Sequence, residues 1–294
     1  FTIPYPYPVA QSIEASNGME YPMICFNYGR TEKDGTYSEG IKNGMLGVII
    51  HEVGHNFFPM IVNSDERQWT WMDEGLNTFV QYLTEKEWDK DYPTRRGEPQ
   101  YIVDYMKQDA KNLVPIMTSS DNIMLYGPNA YAKPATALNI LRETVMGREL
   151  FDYAFKEYSR RWAFKNPTPA DLFRTLEDAS GVDLDWFWKG WFIENYKLDQ
   201  SVQSVEYVDR DFSKGAKVSL LNKEKMAMPL TLQYETISGK TEKLQLPVEI
   251  WNNTAIHTVL LPTKEPLRSV VIDPDGLLPD MNRSNNKWET GSGK

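Results

Sequence analysis

Only three histidines and one cysteine occur in the 294 residues of this chain. A lone thiol, Cys25, cannot close an intrachain disulfide, and it says nothing about compartment. Basic residues are also scarce, 32 Lys and Arg against 41 Asp and Glu, for a net charge of −9. Phosphate binding needs clustered Lys and Arg, so nucleic acid is not expected as a partner. Apolar runs are short: MLGVII, residues 45–50, is among the longest, whereas a membrane-spanning helix needs about 20 residues. The opening FTIPYPYPVA lacks the basic start and apolar centre of a signal peptide. With no initiator Met either, the chain is expected to be a mature product or a piece of a longer protein whose other domains are its partners. Localisation and oligomeric state cannot be read from it.

The remaining composition fits a folded globular protein, 41% hydrophobic and 25% charged, with length for two cores. Aromatics reach 13% with nine Trp, which predicts rigid cores or an aromatic-lined cleft.

Three textures follow one another. The first 40 residues are rich in Pro, Gly and Tyr, and the alternation in YPMICFNYG predicts a strand. From about Lys42 to Tyr196 the apolar spacing is helical. Gly44 to Met60 reads as one apolar helix, and Asp73 to Trp88 as a second, with Leu76, Phe79, Val80 and Leu83 at three- and four-residue steps. Further helices are predicted over 98–113, 134–147, 149–164, 169–179 and 183–195. Thr168 and Pro169 supply an N-cap and a first-turn proline, and Gly181 follows that helix. After Tyr196, KVSLL, LTLQYET, KLQLPVEIW, HTVLLP and SVVIDP read as a meander of short strands. The expected fold is α+β: a mainly helical domain over 1–202, a small β-sandwich-like domain over 203–284, and a polar tail, 285–294, that frays.

Two of the three histidines fall in HEVGH. His51 and His55, at i and i+4, share a helix face, so both imidazoles can reach one ion. Glu52 lies about 100° around the helix, where a carboxylate can reach a water held by that ion. This spacing supplies two zinc-binding nitrogens and a general base. A catalytic zinc needs a third protein ligand, and Glu74 in WMDEG, 19 residues after His55, is the candidate. A pair of unrelated core or surface histidines is the plainer alternative, but it leaves the downstream glutamate unexplained. Thr78, one turn after Glu74, either orients a ligand or is an ordinary helix threonine. His257, in the β region, is expected to be structural.

These residues resemble the gluzincins, and in particular the M1 family of zinc aminopeptidases, whose catalytic domain is thermolysin-like. Asn17-Gly18-Met19-Glu20-Tyr21 resembles the family's Gly-x-Met-Glu-Asn exopeptidase element, and Tyr131-Ala132-Lys133 its Tyr-x-Lys-Gly element. The resemblance implies one Zn2+ on His51, His55 and Glu74, with Glu52 as general base. It further implies that Glu20 binds the free ammonium of a peptide, that Gly18 and Met19 align it, and that Tyr131 donates to the oxyanion. Tyr126 is the competing tyrosine. The sequence departs from the family at Asn17, at Tyr21-Pro22, at Asn56-Phe57 and at Pro134 after Lys133. Family members usually carry an N-terminal β domain and often a helical C-terminal domain, for which this chain has no room. The expected activity is removal of the first residue from peptides with a free N-terminus. The alternatives are a gluzincin endopeptidase, for which Glu20 has no role, and a catalytically silent scaffold.

Overall fold

The computed structural model describes residues 2–16 and 18–291. Asn17, at the head of the expected exopeptidase element, and Ser292, Gly293 and Lys294 of the tail lie outside the described residues. The architecture is mixed α+β, and none of the described helices is long and apolar enough to cross a membrane.

The Pro-rich opening forms three short strands, β1 (Gln11–Glu14), β2 (Met19–Tyr21) and β3 (Ile24–Asn27). They form a small sheet in the order β1-β3-β2, with β2 antiparallel to β3 and Glu20 opposite Cys25. Helix α1 (Glu39–Gly54) follows, capped by Ser38, whose Oγ accepts from the Ile41 amide. The helix ends at Gly54 rather than running on to Met60. Phe58 precedes proline and takes an extended conformation (φ −131°, ψ 112°), because the ring of Pro59 disfavours helix at the residue before it. The chain turns there and re-enters a helix at α2 (Thr70–Trp88). Leu76, Phe79 and Leu83 of α2 are buried as their spacing predicts, and Val80 packs against them.

The expected helix over 98–113 is broken instead into a tight turn at Pro99–Ile102, a short α3 (Val103–Met106) and a second turn at Ala110–Asn112. A wide helical turn, Gly127–Ala132, then leads into α4 (Lys133–Ile140). Helices α5 (Arg148–Trp162), α6 (Pro169–Ser180) and α7 (Asp185–Trp188) complete the layer. At α6 the predicted boundaries hold: Thr168 and Asp171 form a reciprocal capping box, and Gly181 closes the helix at φ 69°. The aromatic content goes into this core, where Trp71, Phe79, Phe155, Tyr158, Phe187 and Trp191 are almost inaccessible.

Two antiparallel sheets follow. One has the order β4-β5-β8, from Gln200–Tyr207, Ala216–Asn222 and Ile256–Leu261. The other has the order β10-β9-β6-β7, from Lys287–Glu289, Leu267–Ile272, Leu230–Thr236 and Thr241–Leu246. Alternate residues of β5 and β6 point inward, as a two-residue period requires. Val218 and Leu220 from the first sheet share a second core with Leu232, Val270 and Ile272 from the other.

Three expectations change here. The tail does not fray from residue 285: Lys287–Glu289 pairs with β9, and Trp288 packs on the second core. VEIW is a tight turn after Pro247, because it places the Trp251 indole N–H on the Met228 carbonyl, 2.9 Å away. The boundary near 203 is also not clean, since Met226, Met228 and Leu278 belong to the helical core.

Candidate active site

The break after α1 builds part of the site. His55, capping the helix, is 1% exposed, and its Nδ1 lies 2.9 Å from the Phe58 carbonyl that the extended turn sets free. A carbonyl only accepts, so Nδ1 carries a proton, and in the neutral ring that a metal would bind Nε2 presents a lone pair. Asp73 Oδ1, 3.0 Å from the same Nδ1, strengthens that choice. His51 is oriented from α2. Gln81 donates its Nε2 to the Gly47 carbonyl (3.1 Å) and to Glu85 (2.8 Å), which turns its Oε1 toward His51 Nδ1 at 2.9 Å. The Nε2 of His51 is therefore a lone-pair acceptor too. Asn77 fastens the two helices by donating to the His51 carbonyl at 2.8 Å.

Glu74 brings a third acceptor to the same point. Its Oε2 is 3.2 Å from His51 Nε2 and 3.3 Å from His55 Nε2, and the two nitrogens are 3.1 Å apart. Ligands at about 2.0–2.1 Å around a tetrahedral zinc are separated by roughly 3.3–3.4 Å, so the triangle has the dimensions of one tetrahedral face. Three converging acceptors repel one another unless a cation, either a proton on His55 or a metal ion, lies among them. Burial works to lower the pKa of His55, but the carboxylates of Asp73 and Glu74 push it up to about 11. The field that holds a proton on that ring also favours a divalent ion. The donor set thus fits the expected zinc.

Tyr131 approaches from the wide turn before α4. Its hydroxyl donates to Glu74 Oε1 at 2.5 Å, and its ring stacks on His51 with centroids 5.9 Å apart. This close approach depends on Gly75: a Cβ there would lie 2.6 Å from Pro134 Cγ and 3.0 Å from the Ala130 carbonyl oxygen. Burial and the Glu74 charge keep the phenol proton on by raising its pKa well above the ordinary tyrosine value. The hydroxyl of the competing Tyr126 is engaged elsewhere, 2.9 Å from Thr70 Oγ1.

Glu52 is the only buried residue of α1. Burial outweighs the pull of His51 and His55 and raises its pKa to about 6. The backbone of Gly18 lies against its carboxylate, since a Cβ at Gly18 would stand 2.4 Å from Glu52 Oε1. Glu20, next but one on β2, has a carboxylate oxygen within 4.8 Å of ligand atoms of both Glu52 and His55. Met19, between them, is 40% exposed.

Residues 1–191 match the model described as the peptidase family M1 domain. The chain belongs to peptidase family M1. Among M1 relatives, the probable aminopeptidase 1 of Sulfurisphaera tokodaii is 26% identical over 270 residues, covering 85% of this chain and 33% of that protein. Aminopeptidase N of Lactococcus lactis is 23% identical over 225 residues, covering 71% of this chain and 26% of that protein. A crystal structure of Legionella pneumophila aminopeptidase A in complex with aspartic acid superposes with a TM-score of 0.66 at 15% identity. It covers 92% of this chain and 31% of that one, a likeness of fold. The chain therefore spans about a third or less of the length of these proteins.

Around this cluster, several contributors escaped the sequence. Gln81, not Thr78, supports a histidine: the Thr78 hydroxyl is buried and makes no hydrogen bond among the described residues. Gln81 stands seven residues after Glu74, on the same helix face, which is the signal that could have found it. Asp73 was hidden by its neighbour Glu74. Glu66, in the loop before α2, adds another carboxylate; partial burial, then Glu20, raises its pKa, while the His55 charge opposes. His257 lies on β8 opposite Leu220.

Proposed function

We infer that this chain is the catalytic portion of a zinc-dependent aminopeptidase that hydrolyses the first peptide bond of peptides with a free N-terminus. In this reading the residues before β4 form a thermolysin-like catalytic domain, and the two sheets, β4 through β10, form a β-sandwich-like domain beside it. His51, His55 and Glu74 hold the metal. When bound, a zinc ion supplies a Lewis acid at the scissile carbonyl and lowers the pKa of water to about 7.

The protein groups divide the remaining work. Glu52, with a pKa near 6, takes the proton of the attacking water and returns it to the leaving amine, a role worth roughly 10²–10⁴ in rate. Tyr131 donates its hydroxyl to the carbonyl oxygen as negative charge develops there, at about 3 kcal/mol for such a donor. Glu20 anchors the ammonium, with Glu66 adding to the negative potential. Gly18 and Met19 align the peptide along β2.

The observation that carries this reading is the grouping of Glu20 with Glu52 and His55 within 4.8 Å. A fixed carboxylate that close to the hydrolytic centre selects a charged N-terminus one residue from the scissile bond. The aminopeptidase names of the M1 relatives point the same way. The test is metal dependence. Zinc-loaded protein should bind one ion per chain and hydrolyse an alanyl reporter amide, and chelation should abolish both. Undiminished hydrolysis after complete removal of the metal would overturn the reading.

A further inference from the structure

A cavity of about 530 Å³ adjoins the candidate site, within the size range of small-molecule sites. It runs along Gly44 and Gly47 of α1 to Arg95 and Arg96, and meets the catalytic cluster at His51, Glu52 and Tyr131. Neither Glu20 nor His55 lines it. Gly18 lines it as well, so the cavity begins where the peptide-aligning backbone meets Glu52 and leads away from there past Tyr131 to Arg96. A peptide with its ammonium at Glu20 and its first carbonyl between Glu52 and Tyr131 has this cavity open to the rest of its chain.

Arg96, partly buried, lines its far part. Its guanidinium carbon is 4.2 Å from the centroid of the Tyr131 ring. It makes no hydrogen bond or ion pair with any of the described residues. Burial lowers its pKa, only partly opposed by the longer-range charges of Glu74 and Glu85. Both carboxylates are otherwise engaged, Glu74 by His51, His55 and Tyr131, and Glu85 by the Gln81 amide. A guanidinium that faces the cavity without a protein acceptor presents its fork to a ligand, and a carboxylate is the group that fills such a fork two bonds at a time.

We propose that Arg96 binds a carboxylate of the peptide beyond the scissile bond, so that this site prefers short peptides ending there or peptides with an acidic second residue. The proposal rests on the aminopeptidase reading above, which sets the direction of the peptide. Arg95, also lining the cavity and exposed, adds positive potential at its mouth.

The test is calorimetric binding to zinc-loaded protein of an uncleavable Ala-Ala analogue with a ketomethylene link in place of the peptide bond. Four forms are compared: the free acid, its C-terminal amide, the amide with Asp in second place, and the N-acetylated acid. One charge-assisted contact corresponds to about 10- to 100-fold in affinity. The free acid should therefore bind at least about tenfold tighter than its amide. Arg96→Gln should erase that gap and Arg96→Lys keep part of it, a pattern that general disturbance of the fold would not produce. If the Asp amide regains the affinity, the side chain is an accepted source of the carboxylate; if it does not, the terminus is. Equal binding of acid and amide, persistence of the gap in Arg96→Gln, or no binding of the free acid would each overturn the proposal. An acid–amide gap that survives while the N-acetylated form binds as well as the free amine would instead remove Glu20's role and leave Arg96's standing.

Discussion

Gly75→Ala separates the geometry of the oxyanion donor from the stability of the fold. The added methyl would sit 2.6 Å from Pro134 Cγ, 2.8 Å from Pro134 Cβ and 3.0 Å from the Ala130 carbonyl oxygen. Contacts below 3.0 Å are essentially never seen for real Cβ atoms, so the segment carrying Tyr131 must retreat from α2 by at least about 0.4 Å. A proline ring and a backbone carbonyl cannot swing aside as a flexible side chain would. Overpacking of this kind costs about 1–3 kcal/mol, and the better helix propensity of alanine returns up to about 1 kcal/mol. The net destabilisation should be modest, about 0–2 kcal/mol in a denaturant titration. Activity should suffer more. A misplacement of about 1 Å can cost 10²-fold, so kcat on an alanyl reporter amide should fall about 10- to 100-fold with zinc content unchanged. The loss should also saturate. In a Tyr131→Phe background, Gly75→Ala should cost less than about threefold, because the hydroxyl it displaces is already gone. Wild-type turnover in Gly75→Ala, or a full additional loss on top of Tyr131→Phe, would refute the idea that this close packing positions the tyrosine.

Tyr131→Phe alone should lower kcat by about 10²–10³ while zinc stays bound, whereas Tyr126→Phe should stay within a few-fold; the reverse ranking in steady-state kinetics would move the donor role to Tyr126. As the proposed general base Glu52 works as the carboxylate, so kcat/KM should fall as pH drops through its pKa. That acid limb should lie between the ordinary 4.5 and the raised value of about 6, since a bound cation adds to the downward pull of the histidines, and it should be missing from the residual activity of Glu52→Gln. Lys133 is fully buried, with its Nζ 3.4 Å from Asn195 Oδ1, and burial lowers its pKa from 10.5 to about 8. Between those values the unfolded chain holds a proton that the folded chain does not, so this residue's contribution makes stability rise with pH over that interval and stay flat below it. Relative to Lys133→Met, wild type should therefore gain on the order of 3 kcal/mol between pH 8 and 10.5; a pH-independent difference in unfolding free energy would contradict the burial argument.

The candidate metal triad was legible because its information is local and chemical. Two histidines at i and i+4, with a carboxylate between them, fix a face and a job for each residue, and only the partner helix bearing Glu74 had to be found. Glu20 and Tyr131 are different. Neither stands out by spacing, and both came from likeness to a family; the structure then brings each to the same cluster. What stayed hidden is mostly long-range or backbone-borne. The Phe58 carbonyl reaches His55 only because Pro59 breaks α1, while the apolar run suggested continuity. Gln81 and Arg96 are ordinary polar residues until the fold sets them against His51 and Tyr131. Lys287–Glu289 reads as a frayed polar tail because its strand partner, Val270 and its neighbours, is distant in sequence.

The measurement that tests the central claim most directly is hydrolysis of an alanyl reporter amide beside its N-acetylated twin by zinc-loaded protein, wild type and Glu20→Gln. Wild type should cleave the free amine and leave the acetylated twin untouched, and Glu20→Gln should raise KM for the free amine by about tenfold or more, the cost of a lost charge-assisted contact. Equal cleavage of both substrates by wild type would contradict an aminopeptidase anchored at Glu20 and make the chain an endopeptidase.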